Sequence, residues 1–260
     1  MSLSTNCGKA EYLDLLKRSL ANWLYHDAEH QVLLRFGDFA IVKRLPFDSV
    51  GRETGRDYSI HAHTLVGFKR LENIQFCVET VISENVPGDL IETGAWRGGS
   101  CIFMRGVLKA LGVKDRVVWV ADSFEGLPKP DAERYPDDDG NRLHTYDELS
   151  IPLETVKDTF ERYGLLDEQV KFLKGWFRDT LPDAPIEKLA VLRLDGDMYE
   201  STMDALRNLY DRVSPGGFII VDDYGAYDYC RKAVHDFREE RDISEEIHRI
   251  DWTGVYWRKR

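Results

Sequence analysis

Apolar residues in this chain recur with two periods. Over residues 11–24, Leu13, Leu16, Leu20, Trp23 and Leu24 share one helical face, and Leu65, Phe68, Leu71, Val78 and Ile82 repeat the pattern over 64–85. Pro87-Gly88 ends that second helix. Beyond it, short apolar runs of strand length fall at 89–92, 117–122, 170–174, 189–194 and 218–221. Helical stretches separate them, at 100–111, from Pro152 through Val156, Phe160 and Tyr163, at 201–213 and at 229–240. Two closing strands follow at 246–250 and 254–257. Strands alternating with helices predict an α/β fold with a Rossmann-like sheet, mostly parallel with an antiparallel last strand, and helices on both faces. The expected organisation is an N-terminal helical extension and lid over residues 1–85 and a core over 86–260, in a single domain overall.

The stretch from Leu192 to Gly225 organises that core. It reads Leu-Arg-Leu-Asp195-Gly-Asp197, then a helix, then Phe-Ile-Ile-Val-Asp222-Asp223. Ser201 and Asp204 have capping-box-like spacing at the helix start, and Pro215-Gly216-Gly217 stops the helix. A strand, helix and strand of this length form a βαβ crossover, so both acidic pairs leave the sheet at its ligand-binding carboxyl edge. Converging carboxylates repel and lose hydration unless a cation joins them. Hard oxygen ligands suit Mg²⁺, Ca²⁺ or Mn²⁺, and no Cys or His in the stretch favours zinc. Any one of these acids could merely cap a turn; Asp195, Asp222 and Asp223 together are the candidate metal ligands. Gly196 is expected to permit the turn that lets Asp195 and Asp197 both reach the cleft.

The first two strands carry a different chemistry. Glu92-Thr-Gly94-Ala-Trp96-Arg97-Gly98-Gly99 is a strand, a glycine turn and a helix start, a cradle whose amides face a ligand. It is not GxGxxG, and Trp96 and Arg97 stand where a dinucleotide fold needs little side chain near the pyrophosphate. Asp122, 28 residues after Gly94, ends the second strand where it can accept hydrogen bonds from ribose hydroxyls. Glu92 could hold an ammonium group. A ribose, an ammonium and no pyrophosphate point to S-adenosylmethionine.

A net charge of -11 argues against a nucleic-acid partner, and no apolar run reaches membrane-spanning length. The opening residues lack the basic and apolar regions of a secretory signal, and Cys7, Cys77, Cys101 and Cys230 form no Cys-x-x-Cys pair. A cytoplasmic protein without disulfides is expected. His26 and His30 lack an HExxH pattern and read as a solvated helix end, and residues 37–63 as a loop. Residues 129–150 form a polar insertion whose acidic triplet, Asp137-Asp138-Asp139, is expected at a solvated tip.

In order along the chain, Glu92-Thr-Gly-Ala-Trp-Arg-Gly-Gly-Ser100, Val120-Ala-Asp-Ser-Phe124, Gly175-Trp-Phe, Leu194-Asp-Gly-Asp197 and Val221-Asp-Asp-Tyr224 resemble the macrocin-type sugar O-methyltransferases of antibiotic biosynthesis, among them the mycinamicin and novobiocin deoxysugar enzymes. The resemblance runs from Tyr12 through Arg258. It implies a class I methyltransferase sheet, S-adenosylmethionine and Mg²⁺ as cofactors, and Asp195, Asp222 and Asp223 holding the metal against a vicinal diol. It further implies Asp197 as the base and Glu92, Gly94, Ser100, Asp122, Ser123 and Trp176 as cofactor contacts. Thr64 and Leu65 would belong to a lid, and the segment near His144 would line the acceptor side. The acceptor would be a small glycosylated molecule, and a homo-oligomer of two or more copies is expected. Two alternatives stay open: a catechol-type metal-dependent O-methyltransferase, and a non-catalytic Rossmann-like binding protein.

Overall fold

The computed structural model describes residues 3–25, 30–36, 39–57, 59 and 61–260, with backbone alone at 3–7, 30–36 and 39–45. The extension holds α1 (Leu3–Leu20), β1 (His30–Phe36), β2 (Phe39–Leu45), α2 (Ser49–Thr54) and α3 (Phe68–Ser83). The core follows as β3 (Asp89–Thr93), α4 (Gly99–Leu111), β4 (Val118–Asp122), α5 (Leu153–Arg162), β5 (Val170–Lys174) and α6 (Phe177–Thr180). It closes with β6 (Leu189–Leu194), α7 (Tyr199–Leu209), β7 (Val213–Val221), α8 (Asp228–Glu240), β8 (His248–Arg249) and β9 (Val255–Arg258). Seven strands form one sheet in the order β5-β4-β3-β6-β7-β9-β8. The first five are parallel, while β9 runs antiparallel to β7 and β8 antiparallel to β9. The antiparallel edge therefore has two strands.

Both faces of the sheet are covered, as the unbroken apolar runs predict. Leu90, Val118, Val120, Phe218 and Ile220 belong to a core shared with α1, α3, α4 and α5. Their alternating neighbours Ile91, Trp119, Ala121, Ile219 and Val221 belong to a second core with α7 and α8. The extension joins the first core through Leu13, Leu16 and Leu20 of α1, and Gly106 of α4 leaves the space that Leu16 fills. Cys77, Cys101 and Cys230 are free and buried. Among the described residues no helix is long and apolar enough to cross a membrane.

Five local expectations change, the first being the helix stop: α7 ends at Leu209, and Pro215-Gly216-Gly217 lie within β7. Residues 37–63 are not one loop: β2 pairs with β1 as an antiparallel hairpin, and α2 follows with Asp48 capping Val50 N at 3.0 Å. Ile41 and Val42 have the branching of a strand, which the surrounding charges and glycines outweighed in the sequence pattern. The second helix begins at Phe68, because Thr64 Oγ1 accepts Val66 N at 3.3 Å and holds the preceding residues in a loop. The acidic triplet is not wholly solvated. Asp138 is fully buried, and its two oxygens accept the amides of Tyr199 and Glu200, each at 2.8 Å. The local Ser201–Asp204 capping box therefore does not form; Asp204 accepts the Tyr135 hydroxyl instead, at 3.2 Å. Residues 26–29 of the His26–His30 segment lie outside the described residues.

One ion pair ties α4 to the loop before β5: Arg105 donates to both oxygens of Asp167, with Nε–Oδ1 at 2.9 Å. Those bonds are the largest cause holding the Asp167 carboxyl below its usual range. A depressed carboxylate contributes stability above the unfolded value, near pH ~3.9, and loses it as pH falls through the folded one. Asp167→Asn is therefore expected to cost about 1–2 kcal/mol at neutral pH, the half-open pair being discounted for screening. In urea melts the gap between wild type and variant should close as pH falls below the carboxylate range. A gap independent of pH would contradict the assignment.

Candidate active site

The carboxyl ends of β3, β6 and β7 lie side by side, with Thr93 paired to Leu194 and Leu194 to Val221. Backbone bonds continue that register past the strands: Asp195 N donates to Thr93 O and Asp222 N to Leu194 O, both at 2.9 Å. The two acidic pairs are thus delivered to one point. Carboxylate oxygens of Asp195, Asp222 and Asp223 lie within 4.8 Å of one another.

The turn after β6 differs from the expected one. Gly196 is not the left-handed residue; Asp197 is, at φ 59°. Asp tolerates that region because its short side chain bonds locally, and Asp197 N donates to Asp223 Oδ2 at 3.1 Å. Gly196 is needed for space, since a Cβ there would stand 2.9 Å from Ser201 Cβ and 3.3 Å from the Phe177 ring. Gly94 is also a matter of space. At φ 94° its missing Cβ would overlap the Asp195 carbonyl oxygen, so the turn after β3 fits directly against the acidic turn.

Two arginines stand among the acids. Arg193 of β6 is fully buried and donates to Glu92, to Asp195 Oδ2 at 2.6 Å and to Asp222. Arg70 of α3 donates to Asp222 and, at 3.0 Å, to Asp251 in the β8–β9 turn. Asp197 and Asp223 have no cationic partner among the described residues. Burial, first, and the neighbouring carboxylates, second, raise Asp197 to about 8 and hold Asp223 well above the usual range. Burial likewise lifts Glu92 to about 7 despite Arg193, and the Cys101 thiol donates to its second oxygen at 2.8 Å. Six carboxylates (Glu92, Asp195, Asp197, Asp222, Asp223 and Asp251) thus face two guanidinium groups. A divalent cation with hard oxygen ligands fits this excess of carboxyl groups over guanidinium groups, since it would replace the protons that the raised carboxyls hold.

Asp122 sits at the other side of the cleft. Its Oδ2 accepts Ala95 N at 2.7 Å and Trp96 N at 3.1 Å, and its Oδ1 accepts Phe124 N at 2.7 Å. It therefore shapes the glycine turn, whatever else it binds. Arg97 turns away to the Ala62 carbonyl at 2.8 Å, so only Trp96 of that pair lines the cleft. The loop carrying Thr64 and Leu65 closes over the start of α4, where Gly99 N donates to His63 O at 3.0 Å and Thr64 Oγ1 lies 3.4 Å from Ser100 Oγ.

All twelve candidate residues line this one cleft: Thr64, Leu65, Glu92, Gly94, Ser100, Asp122, Ser123, Trp176, Asp195, Asp197, Asp222 and Asp223. The glycine turn and the acidic cluster share that cleft, and residues 9–259 match the family described as macrocin O-methyltransferase.

The chain belongs to that family. It is 57% identical over 248 residues to the 8-demethyl-8-(2,3-dimethoxy-alpha-L-rhamnosyl)-tetracenomycin-C 4'-O-methyltransferase of Streptomyces olivaceus, covering 95% of this chain and 92% of that one. To the mycinamicin III 3''-O-methyltransferase of Micromonospora griseorubida it is 52% identical over 260 residues, 99% of each. The solved structure of the O-methyltransferase NovP superposes with a TM-score of 0.89 at 50% identity, covering 96% of this chain and 99% of that one. The macrocin-family chain described here is an O-methyltransferase, and its family implies S-adenosylmethionine as methyl donor.

The sequence pattern missed Arg193, Arg70, Asp251 and Asp138. Arg193 left a signal, a lone charge inside the buried run Leu-Arg-Leu two residues before Asp195. Arg70 and Asp251 left none, since their meeting spans 181 residues. Of the insertion, Leu149 lines the cleft whereas His144 does not.

Gly94→Ala tests the fit of the two turns. Left-handed strain plus overlap with a backbone carbonyl should cost at least about 2 kcal/mol, lowering the thermal midpoint by roughly 4–8 °C. A midpoint within a degree of wild type would show that the turns do not press together.

Proposed function

We propose that this macrocin-family enzyme methylates a sugar hydroxyl of a glycosylated natural product or sugar nucleotide in antibiotic-type metabolism, using S-adenosylmethionine and Mg²⁺. The observation that carries the reading is the convergence of Asp195, Asp222 and Asp223 beside Asp197, which has no cationic partner among the described residues, in the cleft that holds the glycine turn. The relatives named for sugar positions on tetracenomycin and mycinamicin support the acceptor class.

S-adenosylmethionine supplies the methyl group when bound, with Glu92, Gly94, Ser100, Asp122, Ser123 and Trp176 as its proposed contacts and Thr64 and Leu65 above it. Mg²⁺ held by Asp195, Asp222 and Asp223 would lower the pKa of an acceptor hydroxyl and orient a vicinal diol. Asp197 takes the hydroxyl proton. Burial and the neighbouring carboxylates raise its carboxyl, and a cation held by those neighbours would lower it again, leaving a carboxylate able to accept the proton. Arg193 and Arg70 bond Asp195 Oδ2 and both oxygens of Asp222, which holds these two side chains in place in the cleft. The Thr64–Leu65 loop excludes water, which favours transfer from a sulfonium.

Metal dependence is the first test. With mycinamicin III and the rhamnosylated tetracenomycin as acceptors, excess EDTA should abolish turnover and Mg²⁺ should restore it; full activity in EDTA would sink the metal reading. Asp197→Asn preserves shape and removes the base, so single-turnover methyl transfer should fall roughly 10²–10⁴-fold. Mg²⁺ and S-adenosylmethionine binding should barely change in that variant. Asp195→Asn should instead lose Mg²⁺ in calorimetric titration. The opposite pattern, with Asp197→Asn losing metal but keeping the chemical step, would reverse the two assignments.

A further inference from the structure

The first turn of α7 has no cap of its own. Met198 occupies the capping position without a side-chain bond, and the amides of Tyr199 and Glu200 go to Asp138, 61 and 62 residues away. Asp138 is fully buried, and those two bonds are the ones its carboxylate makes to α7. A buried carboxylate that accepts two amides at a helix start is strongly fixed. Asp197 lies two residues upstream of the same helix, in the left-handed region, and Met198 N donates to Gly196 O at 2.6 Å. The turn that carries Asp197 is therefore held at two points. Asp223 takes the Asp197 amide on the sheet side, and Asp138 takes the helix start on the other.

Asp138 belongs to the 129–150 insertion, which also reaches the opposite side of the cleft. Trp96 Nε1, in the glycine turn, donates to Glu148 O at 2.9 Å, and the neighbouring Leu149 lines the cleft. Tyr135 adds a second tie to α7 through Asp204, at 3.2 Å. One segment thus spans from the methyl-donor turn to the acidic turn.

We propose that Asp138 is a positioning residue for methyl transfer, setting the orientation of Asp197 through the first turn of α7. This rests on the reading of Asp197 as the base. The insertion is then part of the catalytic frame, with the acidic triplet contributing the anchor.

The test uses Asp138→Asn, which keeps one acceptor oxygen, and Asp138→Leu, which keeps the branching at Cγ and offers no acceptor. Rates are measured in single turnover with the faster of the two acceptors above and expressed per S-adenosylmethionine-binding site, so loss of folded protein does not register. The rate should fall in the order Asp, Asn, Leu, reaching roughly 10- to 100-fold for Leu, a loss typical of a misplaced reacting group, with KM for S-adenosylmethionine within about twofold. Combining Asp138→Leu with Asp197→Asn should add less than about a further twofold loss, because misplacing an absent base costs nothing. Hydrogen exchange should quicken at the Asp197, Tyr199 and Glu200 amides in Asp138→Leu. A wild-type rate per site, a full multiplicative loss in the double variant, or unchanged exchange at Asp197 would each overturn the proposal. If Asp197→Asn alone keeps the wild-type rate, the base reading fails first and the proposal falls with it.

Discussion

A guanidinium buried in the middle of a parallel sheet constrains everything at this protein's working edge. Arg193 is inaccessible to solvent, and such a charge is stable only where carboxylates surround it in good geometry. Glu92 from β3, Asp195 from β6 and Asp222 from β7 supply them. Three strand ends must therefore finish together around one side chain. Asp197 and Asp223 follow on the same two turns, meet no arginine among the described residues, and have raised carboxyls.

The same logic extends outward. Arg70 shares Asp222 with Arg193 and reaches Asp251, so α3 of the extension and the β8–β9 turn are bound into the acidic cluster. Backbone bonds hold the residue before Thr64, with His63 N on Leu20 O and Gly99 N on His63 O. Thr64 and Leu65 are carried over the cleft by that anchoring. The extension is therefore structurally continuous with the site, joined to it by buried ion pairs as well as by apolar packing.

Much of this was readable in the linear pattern. Unbroken apolar runs gave both buried faces of the sheet, and strand length with a single intervening helix gave the parallel pairing of β6 and β7. Parallel pairing is what sends Asp195 and Asp222 to the same edge, so the candidate acids followed from periodicity and turn position alone. Partners separated by many residues were not readable. Nothing near Asp138 in sequence indicates that it caps α7, and the local Ser201–Asp204 spacing pointed to the wrong cap. Conformation at single residues was also hidden: glycine at 196 looks like the left-handed position, yet a crowded Ser201 and Phe177 explain it, and Asp197 takes the strained φ. The β1–β2 hairpin was masked by charged residues within its strands.

We propose that Asp195, Asp222 and Asp223 form one cation site in the folded chain. Mn²⁺ titration followed by electron paramagnetic resonance, in the presence of S-adenosylhomocysteine, measures that directly, because free and bound Mn²⁺ give separable signals. One bound ion per chain is predicted in the wild type, displaceable by Mg²⁺ and lost in Asp223→Asn, which removes a ligand oxygen that no arginine engages. Absence of bound Mn²⁺ in the wild type, or undiminished binding in Asp223→Asn, would contradict it.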